Sequence, residues 1–167
     1  MIAAAGEKSR AVTWHIGNVE ALPFPDGVFS GAMCTLAIHH FKALRPAFQE
    51  VFRVLARGRF VLFTSTVEQM RGYWLNDYFP AAMARSIAQM PGRQAIMEAL
   101  RQSGFASIHT EPYEVQTDLQ DFFLYSGKHR PEMYLDPHVR AGISTFAALA
   151  DASEVEEGDY LFVVGEK

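Results

Sequence analysis

The chain of 167 residues, 49% hydrophobic and 20% charged, has the size and composition of one globular domain able to bury a core, which excludes a disordered segment. A formal net charge of -4 without any run of Lys or Arg argues against a nucleic-acid or anionic-membrane partner. Cys34 is the one cysteine, no Cys/His spacing matches a zinc site, and no apolar run approaches the roughly 20 residues that span a bilayer, so no metal and a cytoplasmic location are expected.

In chain order, "AVTWHI" over 11–16 is short, β-branched and aromatic, and "GAMCTLAI" from Gly31 is a continuous apolar run, the pattern of strands buried on both faces. Between them "LPFPDGVFSG" carries two prolines and an Asp-Gly pair, which predict a turn. Pro46 suits a first helical turn, and Leu44, Phe48, Val51, Phe52 and Leu55 follow the 3-4 spacing of an amphipathic helix that Gly58 is expected to end. "RFVLFTS" from Arg59 reads as a third buried strand, so strand, helix and strand alternate as in parallel α/β sheets.

The second half changes character. Residues 67–91 carry Tyr73, Trp74, Tyr78 and Phe79 among methionines, and predict helical pieces broken near Pro80. A helix is expected from Gly92 to Ser103, ended by a left-handed Gly104 with Phe105 folding back on Leu100. "SIHTEPYEVQT" and the C-terminal "DYLFVVGEK" read as strands that pair antiparallel. Between them lies a helical insertion over 117–151, opened by a capping-box pattern at Thr117 and Gln120 and continued by a helix from Asp136-Pro137 with Val139, Ile143, Phe146 and Ala150 on one face.

The run "GNVEALPFPDGVFSGAMCTLAIHHF…EVFRVLARGRFVLFTS" resembles the central part of class I S-adenosylmethionine-dependent methyltransferases of the small-molecule type. The shared wording is a Gly-Asp-x-x-x-Leu-Pro-Phe loop, a Phe-Asp strand entry, a His-His pair and a Leu-x-Pro-Gly-Gly turn. The resemblance covers about residues 1–66 and implies one domain: a truncated Rossmann-like α/β fold, mostly parallel, with a C-terminal antiparallel hairpin, the 67–91 segment as a lid and 92–167 as the closing strands. Asn18 and Ser30 stand where the family carries Asp, and Ala56-Arg57-Gly58 shortens the Pro-Gly-Gly turn.

The resemblance also implies a Gly-rich loop for the methionine part of the cofactor and an acidic residue for the ribose. The twelve glycines never occur as Gly-x-Gly, and "MIAAAGEK" resembles the tail of the helix after the family's second strand, so Met1 reads as an internal position of a longer ancestor. Loss of two charge-assisted hydrogen bonds would weaken cofactor binding on the order of 100- to 10,000-fold. The family's strand order would further leave an apolar edge on the "GAMCTLAI" strand, covered by 11–16 closing up beside it, by a second copy in a homodimer, or by a separate N-terminal segment.

By the same resemblance, Asn18 faces the adenine amino group, the Val19 N–H points to the ring and Leu22 covers its face. Thr35, Leu36 and Ala37 line the methionine part and the methyl group, at the strand end where open α/β sheets bind ligands. His40, Tyr73, Trp74 and Tyr78 form the substrate pocket, with His40 the candidate base if the acceptor must lose a proton. His39-His40 reads equally as a strand-end cap, Cys34 as a small buried hydrophobe, and the aromatics as core. Two functions remain open: methyl transfer from S-adenosylmethionine to a small organic acceptor, or a non-catalytic module of the same fold acting by self-association or partner binding. A dinucleotide oxidoreductase half is disfavoured, because no Gly-x-Gly-x-x-Gly occurs.

Overall fold

The apolar run around Cys34 forms β1 (Phe29–Thr35) in a computed structural model that describes residues 11–150. Two compact units emerge, one from residues 11–70 and 89–110 and the other from 71–88 and 111–150.

In the first unit, β1 is followed by a 3-10 turn (Ile38–His40), helix α1 (Leu44–Val54) and β2 (Leu55–Phe63), which pairs parallel to β1. This is the expected strand–helix–strand alternation. The regular register runs from Gly31 opposite Arg59 to Thr35 opposite Phe63. The 3-4 spacing of α1 buries Ala47, Phe48, Val51 and Val54. A short α2 (Val67–Met70) precedes the second unit, and α5 (Arg93–Gln102) later returns to pack Ile96, Ala99 and Leu100 with Ile38 and Phe48 in one core.

The end of α5 is as expected. Gly104 has φ +104°, its N–H donates to the Arg101 carbonyl, and the Phe105 N–H donates to the Leu100 carbonyl, so two terminal carbonyls are satisfied. Pro80 likewise opens a new piece: α3 (Leu75–Tyr78) stops before it and α4 (Pro80–Gln89) starts on it. In the second unit, the 3-10 turn Pro131–Leu135, α6 (Pro137–Gly142) and α7 (Ser144–Ala150) complete a core of Leu75, Met83, Tyr134, Ile143 and Phe146. Asp136 caps α6 by accepting from the His138 N–H at 2.8 Å.

Several expectations are corrected. Residues 11–16 form no strand and do not close up beside β1; the nearest ladder is a single bridge between Asn18 and Ala21. A β-branched hexapeptide extends stably only beside a partner strand, and none pairs with it among the described residues. β1 is largely exposed rather than buried on both faces, with Met33 68% accessible, because β2 is its one neighbour among the described residues. Gly58 does not end α1, which stops at Val54; it lies inside β2, where Ala56, Arg57 and Gly58 bulge out between Phe29–Leu55 and Gly31–Arg59. A Cβ at Gly58 would stand 2.0 Å from the Ser30 carbonyl oxygen, so close backbone approach is what requires glycine there.

Residues 107–117 run without strand pairing, and their expected partner over 159–167 lies outside the described residues, as does the N-terminal helix tail over 1–8. Thr117 and Gln120 form no capping box; only turns follow. The same Thr-x-x-Gln pattern does cap α2, where the Thr66 N–H donates to Gln69 Oε1 and the Gln69 N–H to Thr66 Oγ1. Met70, 2% exposed, anchors that turn. After Thr117, Gln120 spends its amide on the Asp118 carbonyl and Arg130 takes the Leu119 carbonyl, so the backbone groups a helix would use are already bound. The helix from Pro137 is also shorter than its pattern, broken between Gly142 and Ser144.

Candidate functional site

Residues 17–27, the stretch leading into β1, owe their shape to local backbone chemistry. Asn18 Oδ1 accepts from the Glu20 N–H at 3.0 Å and its carbonyl accepts from Ala21 at 3.0 Å, which turns the chain back on itself. The side chains of Pro23 and Phe24 follow, and Phe24 meets His15 and Phe29 edge-on at 5.2 and 4.9 Å. At Gly27, φ +64° allows the chain to swing into β1.

Between this loop, β1 and the inner face of α1 lies an open cavity of about 440 Å³. Val19 and Leu22 line it from the loop, Thr35 and Ala37 from the C-terminal end of β1, and Val51 and Val54 from α1. Four of the six residues expected to hold a cofactor therefore meet in one place. Asn18 and Leu36 are not in the lining; Asn18 is exposed beside Val19 and has its amide oxygen engaged with Glu20. Leu36 has φ 50°, in the left-handed region that a leucine rarely adopts, and its N–H closes the ladder on the Phe63 carbonyl at 2.8 Å. Strain of this kind concentrates where a binding surface must be shaped.

Cys34 lines the same cavity, half-buried. Burial pushes its thiol up, only partly offset by the Ala37 backbone amide, so it stays protonated at neutral pH and acts as a small apolar wall group. His40 is exposed in the 3-10 turn just past β1, its N–H on the Ala37 carbonyl, with its ring 3.9 Å from His39. Burial, then the neighbouring His40, lower the His39 imidazole below its ordinary value.

The aromatic trio lies in the second unit. Tyr73 stacks on Tyr125 at 3.8 Å, and Trp74 meets Tyr78 and Tyr134 edge-on at 5.6 and 5.7 Å. These contacts are the packing of a core; Tyr78 is the exposed member of the three, 54% accessible, while Tyr73 and Trp74 are partly buried. Tyr134 fastens the cluster, its hydroxyl donating to the Leu124 carbonyl at 2.7 Å and accepting from the Gly127 N–H at 3.1 Å.

Sequence reasoning missed Glu50 and Arg53. They sit three residues apart on the polar side of α1 and hold the cavity loop from outside: the Leu22 N–H donates to Glu50 Oε2 at 2.8 Å, and Arg53 donates to the Leu22 carbonyl at 3.1 Å and the Phe24 carbonyl at 2.8 Å. A Glu-x-x-Arg pair on an amphipathic helix reads as solvated surface, and only the return of the loop across it shows otherwise.

Residues 1–63 match the methyltransferase domain family. The chain is 48% identical over 52 residues to the uncharacterized methyltransferase YcgJ of Bacillus subtilis, covering 30% of this chain and 21% of that protein. It is 28% identical over 97 residues to the biotin biosynthesis bifunctional protein BioHC of Teredinibacter turnerae, covering 51% of this chain and 17% of that one. A crystal structure described as a methyltransferase from an antibiotic biosynthesis pathway of Anabaena variabilis superposes with a TM-score of 0.77 at 35% identity, over 84% of this chain and 56% of that one. The fold is thus a Rossmann-like α/β fold. The class I S-adenosylmethionine-dependent methyltransferases are the class that these similarities support, and the matches span about a fifth of the two curated relatives and just over half of the solved structure.

The residues that line the cavity would suit one end of the cofactor that the resembled family uses. Its apolar walls and the Asn18 amide beside it suit an adenine ring, whereas its lining contains no carboxylate for ribose hydroxyls and no ammonium or guanidinium for the amino-acid carboxylate.

Proposed function

We propose that this chain forms the adenine side of a methyltransferase site that acts on a small organic acceptor. The observation that carries the reading is the convergence of Val19, Leu22, Thr35 and Ala37 on one cavity at the C-terminal end of β1. When bound, S-adenosylmethionine supplies a methyl group already activated on a sulfonium, so the protein's task is positioning and exclusion of water. Leu22 covers one face of the adenine, and Asn18, with a second lone pair on Oδ1, accepts from its amino group. Thr35, Leu36 and Ala37 shape the far end. His40, exposed beside that end, takes a proton from the acceptor when the acceptor must lose one.

Calorimetric titration with S-adenosylhomocysteine, on a sample of measured solution mass, tests this. Binding is expected, weakened about 100- to 10,000-fold relative to a site with its ribose and carboxylate partners, and lost on Thr35→Trp, which fills the cavity. A folded chain that shows no binding up to millimolar ligand overturns the reading.

The exposed apolar edge of β1 favours a second reading, a non-catalytic module that associates through that edge with a copy of itself or with another polypeptide. It expects a concentration-dependent mass and no ligand heat.

A further inference from the structure

We infer that Arg53 and Glu50 are positioning residues for the cavity: one turn of α1 both builds its floor and sets the loop that forms its wall. The inference rests on the function proposed above and adds to it two side chains that touch no part of the expected cofactor.

The geometry is unusually complete. All five N–H donors of the Arg53 guanidinium are used: Nε on Glu50 Oε1 at 2.8 Å, Nη1 on the Phe24 carbonyl at 2.8 Å and on Asp26 Oδ1 at 2.7 Å, and Nη2 on the Leu22 carbonyl at 3.1 Å and on Glu50 Oε2 at 2.8 Å. The Arg53 backbone carbonyl also accepts from the Gly27 N–H at 2.9 Å. Glu50 closes the circuit through the Leu22 N–H. Both peptide groups flanking the Leu22 Cα are therefore gripped by the same ion pair, which fixes the direction of the Leu22 side chain into the cavity. The adjacent Val51 and Val54 line the opposite wall, so floor and wall are referenced to one rigid helical turn.

An ordinary surface ion pair on a helix contributes little and needs no particular partner geometry. This one differs because three of the five donors leave the pair for a loop 27 to 31 residues distant. Only a planar fork reaches these acceptors together; the lysine ammonium has three donors on one atom and cannot.

The test uses the full chain with two variants, Arg53→Lys and Glu50→Gln, and Glu98→Gln on the exposed face of α5 as control. Amide exchange of Leu22 and Gly27 and calorimetric affinity for S-adenosylhomocysteine are read on each, with circular dichroism melts to confirm folding. Both variants are expected to lose Leu22 and Gly27 protection and to bind about tenfold more weakly, the equivalent of one hydrogen bond to a charged group, while the control matches the wild type. Unchanged protection overturns the clamp. Lost protection with unchanged affinity overturns the positioning role and leaves a structural tie. Protected amides in a wild-type chain that binds no ligand overturn the methyltransferase reading, and with it the role in cofactor binding, while the clamp itself is then seen directly in the exchange data.

Discussion

The cavity beside β1 and the aromatic cluster around Tyr134 are built from similar residues and end in opposite states. Around Tyr134, rings meet on several sides, the hydroxyl is satisfied twice, and the residue is 2% exposed. Beside β1, Phe29 and Met33 stand 37% and 68% exposed although their sequence is more continuously apolar. Aromatic richness therefore marks a core here, and the cavity opens where β1 has a single strand neighbour among the described residues. What separates the two is whether the apolar groups find partners, since burial contributes in proportion to the apolar area removed from water.

The sharpest way to break this comparison is truncation at its closed end. Tyr134→Ala should cost about 3–5 kcal/mol, the usual loss for a large ring removed from a packed site, measured by denaturant unfolding; a loss below about 1 kcal/mol would show the cluster to be loosely packed. Gly58→Ala comes next, because its Cβ would press on the backbone of β1 rather than on a flexible side chain, and should destabilise on the order of 1–3 kcal/mol.

Titration should separate the two regions by the direction of failure. Burial pushes the Tyr134 hydroxyl up to about 12 from 10.0, so its contribution is complete below pH 10 and is lost as the pH rises through 12. Hydrogen bonding from Arg53 holds the Glu50 carboxyl below its ordinary 4.5, so its grip on Leu22 is complete above pH 4.5 and is lost as the pH falls through the lowered value. Amide exchange across the pH range should open the Tyr134 cluster in alkali and the loop in acid; opening of both at one end would contradict the assignment. The smallest effect belongs to Met33→Ser, which should change stability by no more than about 0.5 kcal/mol, as for an exposed site.

The parts legible in the sequence were those decided within a few residues. Gly104 stops α5 because its left-handed turn satisfies two carbonyls locally, and Asp136-Pro137 opens α6 because cap and first turn are adjacent. Pro80 starts α4 for the same kind of reason. The strand ends carrying Thr35 and Ala37 were readable from the family resemblance, and they do meet Val19 and Leu22. Illegible were features that depend on a distant partner. The two Thr-x-x-Gln patterns are equivalent on paper, and the buried Met70 beside one and the competing Arg130 beside the other separate them.

Periodicity, capping and turn chemistry thus set the order of strand, helix and strand and the class of fold, because those forces act over one or two turns of chain. Whether 11–16 would pair, how exposed β1 would be, why glycine is needed at 58, and that Arg53 would reach back across 31 residues to Leu22 were settled by folding. Each of these depends on which surfaces and donors meet in space, and a single hydrogen bond or contact between remote segments carries no mark in the residues that make it.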